Sequence, residues 1–227
     1  MNRRQLAGNL RRDFNPFQEN YLAEIMAAVV GAWTRMKEPC ASELEDRITR
    51  RIAGRLAHDS NFEEIPYEVT TQHTLLGLDG QILGRLDLRF KHRNSQRVYF
   101  AFESKRLHVT HPGGHYSPGY STYTGSDGMM AFVDGQYSSG LPAGGMLSYV
   151  MDGRSSEARI GLEKRVEKQR KPLILRASAT FAQSTLSGAV LVKAPGAYLA
   201  ETEHDLKTHH LRLFHLLLPV RGARRTA

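Results

Sequence analysis

The chain predicts one mixed α/β domain, and three observations carry the prediction. Two stretches near the start repeat their apolar residues at helical spacing. The sequence then switches to period-two alternation for three consecutive runs. After these, helical and strand-like segments interchange almost to the end. With 227 residues and 41% hydrophobic composition, the chain can bury a substantial single core.

Residues 1–15 read as a basic, polar lead-in with little order. "PFQENYLAEIMAAVVGAWTRMKE" predicts a helix with Pro16 in its first turn and Leu22, Ile25, Met26, Val29, Val30 and Trp33 on one face. Pro39 ends it. "SELEDRITRRIAGRLAHD" predicts a second helix, capped by Ser42, with Leu44, Ile48, Ile52 and Leu56 as its apolar stripe. Glu45 falls inside the arc of that stripe and Glu43 outside it. An inward carboxylate is costly unless it is paired or bound to a cation. The alternative is that Glu45 lies at the edge of the stripe and reaches solvent.

"PYEVTTQHTLLGLDG" predicts a hairpin arm that turns at Asp79-Gly80. In the strand that follows, Ile82, Gly84, Leu86, Leu88 and Phe90 share a face, opposite Leu83, Arg85, Asp87, Arg89 and Lys91. "HRNSQR" links it to a third strand, in which Val98, Phe100, Phe102 and Ser104 lie opposite Tyr99, Ala101, Glu103 and Lys105. Paired residues of an antiparallel ladder point to one face. A three-residue turn at Asn94–Gln96 would set Asp87 opposite Glu103, whereas a two-residue turn would put them on opposite faces. "RLHVTHPGGHYSPGYSTYTGSDG" reads as a long loop. "SDGMMAFVDGQYSS" predicts a capped helix with Met129, Met130, Phe132 and Val133 inward, and "GGMLSYVMDG" a short strand. "SSEARIGLEKRVEKQRK" predicts a helix burying Ala158, Leu162 and Val166; "LSGAVLVKAP" and "HHLRLFHLLLPV" predict late strands.

The longest apolar runs, "IMAAVVGAW" and "LFHLLLPV", are too short to span a bilayer. The N-terminus lacks the apolar region of a signal peptide. Cys40, the single cysteine, has no partner within the chain. The expectation is a cytoplasmic protein with no membrane partner. A net charge of +8 favours a polyanionic partner.

The chemistry concentrates in "GRLDLRFKHRNSQRVYFAFESKRL". Two carboxylates on one sheet face repel unless a cation separates them. Oxygen-only ligands suit Mg²⁺, which takes one or two protein carboxylates and keeps several waters. Lys105, on the face of Glu103, lies within reach of an attacking water or a phosphate, as phosphodiester hydrolysis requires. The plainer alternative is a surface salt bridge of Lys105 with Glu103 or Asp87.

Asp87 followed by Glu103-Ser104-Lys105 resembles the D…(D/E)xK signature of the PD-(D/E)XK nuclease superfamily, over residues 41–152. The resemblance implies a restriction-endonuclease-like αβββαβ core with a mixed central sheet flanked by helices, and a metal-dependent nuclease. It implies that Asp87, Glu103 and the Ser104 carbonyl bind Mg²⁺, with Mn²⁺ able to substitute. It further implies Lys105 at the attacking water, Glu45 as the helical acid, and Gln136 on the helix after the hairpin. Leu86 stands where the superfamily's Pro would be. Asp205-Leu206-Lys207 repeats the triplet without an acid on a neighbouring hairpin arm. "GMMAFVDGQY…GGMLSYVMDG" also looks like small bacterial restriction-endonuclease-like proteins, which places restriction or anti-phage defence among the expected roles.

Nucleic acid, expected to be DNA, is then the partner, with Arg51, Arg85, Arg106, His108 and His111 as candidate contacts. Arg47, Arg50 and Arg55 stand near Glu45 in sequence and could contact phosphate or simply face solvent. Tyr116, Tyr120 and Tyr123 could stack on bases. His108, His111 and His115 have a spacing a zinc site could use, and the "HPGGH" glycines suit a flexible lid. Lacking a separate reading domain, such an enzyme could use a target-recognising protein partner or a homodimer. Two further readings share these residues: a nucleic-acid-binding module without catalysis, and a scaffold or regulatory partner in which the charge is incidental.

Overall fold

The computed structural model describes residues 19–76, 79–94, 99–137 and 141–220. The lead-in 1–15, Pro16 and the centre of the predicted turn after Asn94 lie outside them. Helix α1 (Glu19–Arg35) and helix α2 (Glu45–Leu56) open the fold, followed by the single turn α3 (Ser60–Glu63). Strands β1 (Tyr67–Leu76), β2 (Ile82–His92) and β3 (Tyr99–Leu107) come next. A small hairpin, β4 (Val109–Thr110) and β5 (Tyr116–Ser117), and two short helices, α4 (Tyr120–Thr124) and α5 (Met129–Val133), lead to β6 (Ala143–Val150). Helix α6 (Ser155–Lys168), strand β7 (Ala182–Gln183), the turn α7 (Ser187–Val190), and strands β8 (Tyr198–Asp205) and β9 (His210–Pro219) complete it.

The main sheet has the order β1-β2-β3-β6-β9-β8-β7. β3, β6 and β9 run parallel at its centre, and antiparallel strands flank them. Such a centre is covered on both faces, so its strands read as unbroken apolar runs. Every residue of β6 is accordingly buried. One face packs against α1, α2 and α7 through Ile25, Val29, Ile48, Ile52, Phe100 and Phe102. The other packs against α4, α5 and α6 through Tyr123, Phe132, Ala158, Leu162, Ala101 and Met146. Among the described residues no helix is long and apolar enough to cross a membrane.

The mixed α/β expectation therefore holds, with several corrections. Ser42 does not cap α2: Leu44 occupies the N-cap, makes no side-chain cap bond and is 64% exposed rather than part of the stripe. The helix predicted from 126 shrinks to the five residues of α5, with Gly128 at its N-cap and no side-chain cap. "LSGAVLVKAP" forms the helical turn α7, not a strand, and β8 takes the sheet position beside β9. The long loop is partly ordered as the β4–β5 hairpin and α4. β1 and β2 pair as expected, with Gly80 in the left-handed conformation at their turn.

The sheet centre depends on close backbone approach. A Cβ on Gly145 would stand 2.4 Å from the ring of Phe102, which is fully buried between Phe90 and Phe100 and has nowhere to move. Overpacking of this kind costs about 1–3 kcal/mol. Gly145→Ala is expected to lower the unfolding free energy by that much, read as a lower midpoint of chemical denaturation with an unchanged m-value. An unaltered midpoint would mean that the ring shifts freely.

Candidate active site: an acid cluster at a splayed hairpin

β2 and β3 pair in the register expected from the three-residue turn. Leu88 faces Phe102 and Lys91 faces Tyr99, so the same sum puts Asp87 level with Glu103. The ladder stops at Leu88–Phe102, one step short of the acids. There the strands part. The backbone N–H of Ser104, freed from the ladder, donates to Asp87 Oδ2 at 2.8 Å. Across β1, Gln72 sits in the left-handed region at φ 53° and donates through Nε2 to Asp87 Oδ1 at 3.1 Å. The alternation of β2 also breaks here. Leu88 and Phe90 pack towards α1 and α2, but Leu86 packs with Tyr137 and Phe132 on the opposite face, contrary to the simple period-two expectation.

Asp87, Glu103 and Lys105 are all buried. Lys105 Nζ lies 2.5 Å from Glu103 Oε1 and 3.9 Å from Glu45 Oε1. Glu45 is therefore inward enough to join the cluster, although 31% of its side chain stays exposed. Its second oxygen accepts the Arg106 N–H at 3.1 Å. A salt bridge of Lys105 does exist, but it is buried rather than on a solvated surface.

A hydroxyl cluster fixes the height of α2. Thr49 Oγ1 lies 2.9 Å from the Glu45 carbonyl, 3.0 Å from Ser104 Oγ and 2.8 Å from Tyr149 Oη. Tyr149 stacks on Trp33 of α1. The helix bearing the third acid is thus tied to the residue between Glu103 and Lys105. On the other side Tyr137 covers the acids. A Cβ on Gly84 would meet its ring at 2.7 Å, so the glycine makes room for it.

Burial raises all three carboxylates above the ordinary range. Glu103 is pushed up to about 8 by burial and then by the charge of Asp87, against the pull of Lys105. Burial opposes the Lys105 ammonium, yet Glu103 and Glu45 hold it above its usual value. Burial, Glu103 and Asp87 likewise raise the Tyr137 phenol. Three carboxylates thus share one ammonium. Glu103 Oε2 is buried without a hydrogen-bond partner. Oxygen donors, an excess of negative charge and an unpartnered carboxylate oxygen are what a hard divalent cation would satisfy. Asp87 and Glu103 would be the carboxylates available to such a cation. No group of three or more His, Cys, Asp or Glu side chains suited to a metal is present among the described residues.

The remaining expected residues divide. Arg85 is exposed on β2 two residues before Asp87, and Arg106 donates from its guanidinium to the Glu43 carbonyl at 3.1 Å. His111 is exposed at the tip of the β4–β5 hairpin, its ring stacked on His115. Gln136 is not on a helix: it is exposed in the turn after α5. His108 is no surface contact or zinc ligand. It is 2% exposed at φ 56°, with Nδ1 against Asp152 at 2.9 Å and Nε2 against Tyr120 Oη at 2.7 Å. Tyr123 is fully buried with its phenol on His215, so among the three tyrosines only Tyr116 is widely exposed. His204 lies away from the acids, bonded to Thr202 and the Leu173 carbonyl. Thr49, Gln72, Tyr137 and Tyr149 went unread in the sequence, where nothing but their polar type marks them.

No family model matches the chain, and no curated protein or solved structure does.

A group whose folded pKa is raised stabilises the fold below its unfolded pKa and ceases to do so as pH climbs through the folded value. In the metal-free protein Glu103 therefore withdraws stability between its ordinary value of 4.5 and about 8. Glu103→Gln is expected to melt higher than wild type at pH 9, with the gap closing towards pH 4.5. A gap independent of pH would show that Glu103 titrates normally.

Proposed function

We propose that the chain is a metal-dependent nuclease of the PD-(D/E)XK type that hydrolyses phosphodiester bonds, with DNA as the expected substrate. The observation that carries the reading is the buried cluster at the splayed hairpin: Asp87 and Glu103 level with each other, and Lys105 Nζ 2.5 Å from Glu103. With the single turn α3, the two-residue strands β4 and β5 and the short α4 set aside as insertions, the order α2, β1, β2, β3, α5, β6 matches the αβββαβ succession of that superfamily and supports the reading. Asp87, Glu103 and the Ser104 carbonyl would hold Mg²⁺ or Mn²⁺. The chemistry such a cation supplies is activation of water and neutralisation of charge developing on the phosphate.

The protein's own groups do the rest. Lys105 stays an ammonium through the physiological range, so it serves as a donor that orients the attacking water and meets charge on a phosphoryl oxygen. Glu45 acts on Lys105 and on the Arg106 N–H, setting the direction of that ammonium. Ser104 N–H and Gln72 hold both oxygens of Asp87, which keeps one carboxylate rotamer before substrate arrives. Tyr137 shields Glu103 from bulk water. In the overall step the water oxygen forms a new P–O bond and gives up a proton, the ester P–O bond breaks, and the leaving oxygen takes up one proton, so that the elements of one water are added across the ester.

Incubation of plasmid, single-stranded DNA and RNA with Mg²⁺ tests the reading. Wild type is expected to cut at least one of them, and chelation to stop it. Lys105→Ala is expected to reduce the rate about 10²–10³-fold, the size of losing one transition-state donor. Glu103→Ala is expected to leave only background. Undiminished cutting by Glu103→Ala, or none by wild type, would contradict the proposal.

A further inference from the structure

One flank of α2 carries Arg47, Arg51 and Arg55, each one residue before a member of the buried column Ile48, Ile52 and Leu56. At about 1.5 Å rise per residue, successive arginines leave the helix about 6 Å apart. They line an open cleft of about 800 Å³ with Lys37, Gly54 and His58. Gly54 leaves its floor bare, since no atom stands within 4 Å of the place a Cβ would take.

Two acids, Glu38 and Glu43, share this lining with the four cations. Glu43 is already engaged: Arg51 Nη1 lies 2.9 Å from each of its oxygens, and Arg47 Nε lies 3.6 Å away. Arg51 also donates to the Lys37 carbonyl, so it is braced from two sides. Arg47 keeps 75% of its side chain exposed, and Arg55 and His58 are exposed as well. A row of evenly spaced cations in an open cleft suits an extended polyanion better than a compact anion. The cleft also communicates with the acid cluster through one residue. Arg106 gives its backbone N–H to Glu45 and its guanidinium to the Glu43 carbonyl.

We infer that the Arg47–Arg51–Arg55 row is a track for the phosphodiester backbone of a nucleic acid, running from this cleft towards Arg106 and the acids. Its role in delivering a strand for cutting rests on the nuclease reading; backbone binding by the row does not. Contacts of this kind position a strand without reading its sequence.

The test measures binding of the full chain, with EDTA present, to labelled duplex DNA, single-stranded DNA and RNA of equal length across a range of salt. The variant is Arg47→Glu with Arg55→Glu, leaving the braced Arg51 intact. The control, Lys164→Glu with Lys168→Glu on α6, makes the same change in net charge at two exposed positions. Arg47→Gln with Arg55→Gln serves as the milder version. Losing two phosphate contacts is expected to cut affinity about tenfold or more near 0.15 M salt and to flatten the log–log salt slope by about 1.8 on a duplex or about 1.4 on a single strand. The control is expected to change affinity by no more than about twofold, as a charge outside the contact region contributes little at that ionic strength. The backbone whose binding falls most in the arginine variant is the one the row prefers. Equal losses in variant and control, an unchanged salt slope in the arginine variant, or no binding by wild type would overturn the inference. Failure of the nuclease reading is distinct: wild type would then bind through the row yet cut nothing when Mg²⁺ is added.

Discussion

The site depends on one constraint: three carboxylates must share one buried ammonium at the point where β2 and β3 stop pairing. Ending the ladder at Leu88 and Phe102 releases the Ser104 N–H to hold Asp87. It also releases β2 to turn Leu86 to the other face, beneath Tyr137. A continued ladder would occupy that N–H and keep the alternation regular. The splay and the acid cluster are therefore one feature, and the surroundings are organised to hold it. β6 pairs β3 in parallel register from Phe102 to Leu107, so β3 keeps a partner on that side where its ladder to β2 has ended.

That arrangement is unfavourable for the fold by itself. Burying like charges raises every carboxylate in the cluster, and Gln72 pays with a left-handed backbone for its bond to Asp87. Strain and unmatched charge of this kind persist where surrounding packing over-determines them. Here the packing is the hydroxyl cluster of Thr49, Ser104 and Tyr149 on one face and Tyr137 on the other. Both sets fix side chains around the acids without neutralising them. A divalent cation would offset the excess charge, which joins the cost in the free protein to the proposed chemistry.

Much of this was legible in the sequence because it follows from parity and period. An even residue sum puts Asp87 and Glu103 on one face, and the register of the three-residue turn, one of the two weighed, makes them level. At 100° per residue Glu45 falls within the arc, with the solvent-edge alternative decided by Lys105. The apolar columns of α1 and α6, and that of α2 from Ile48 onward, are correct for the same reason, while Leu44 falls outside because it precedes the helix. What escaped depends on contacts between distant segments. The turn of Leu86 comes from the splay and from Tyr137, fifty residues on. "LSGAVLVKAP" has strand composition, yet it forms a helical turn whose Val190 packs with α1. The Ser42 cap fails because α2 begins later, at Glu45, whose carboxylate accepts the Arg106 N–H. Tyr120 and Tyr123 look like base-stacking residues until His108 and His215 take their phenols.

The central claim is that the acid cluster is a divalent-cation site, and calorimetric titration with Mg²⁺ at pH 7 in buffers of different ionisation enthalpy tests it most directly. A carboxyl with a pKa of about 8 is mostly protonated at that pH and must lose its proton to coordinate. The account predicts saturable binding to wild type with release of roughly one proton, and no such binding to Glu103→Gln. Absence of binding to wild type, or binding that survives Glu103→Gln with the same proton release, would contradict it.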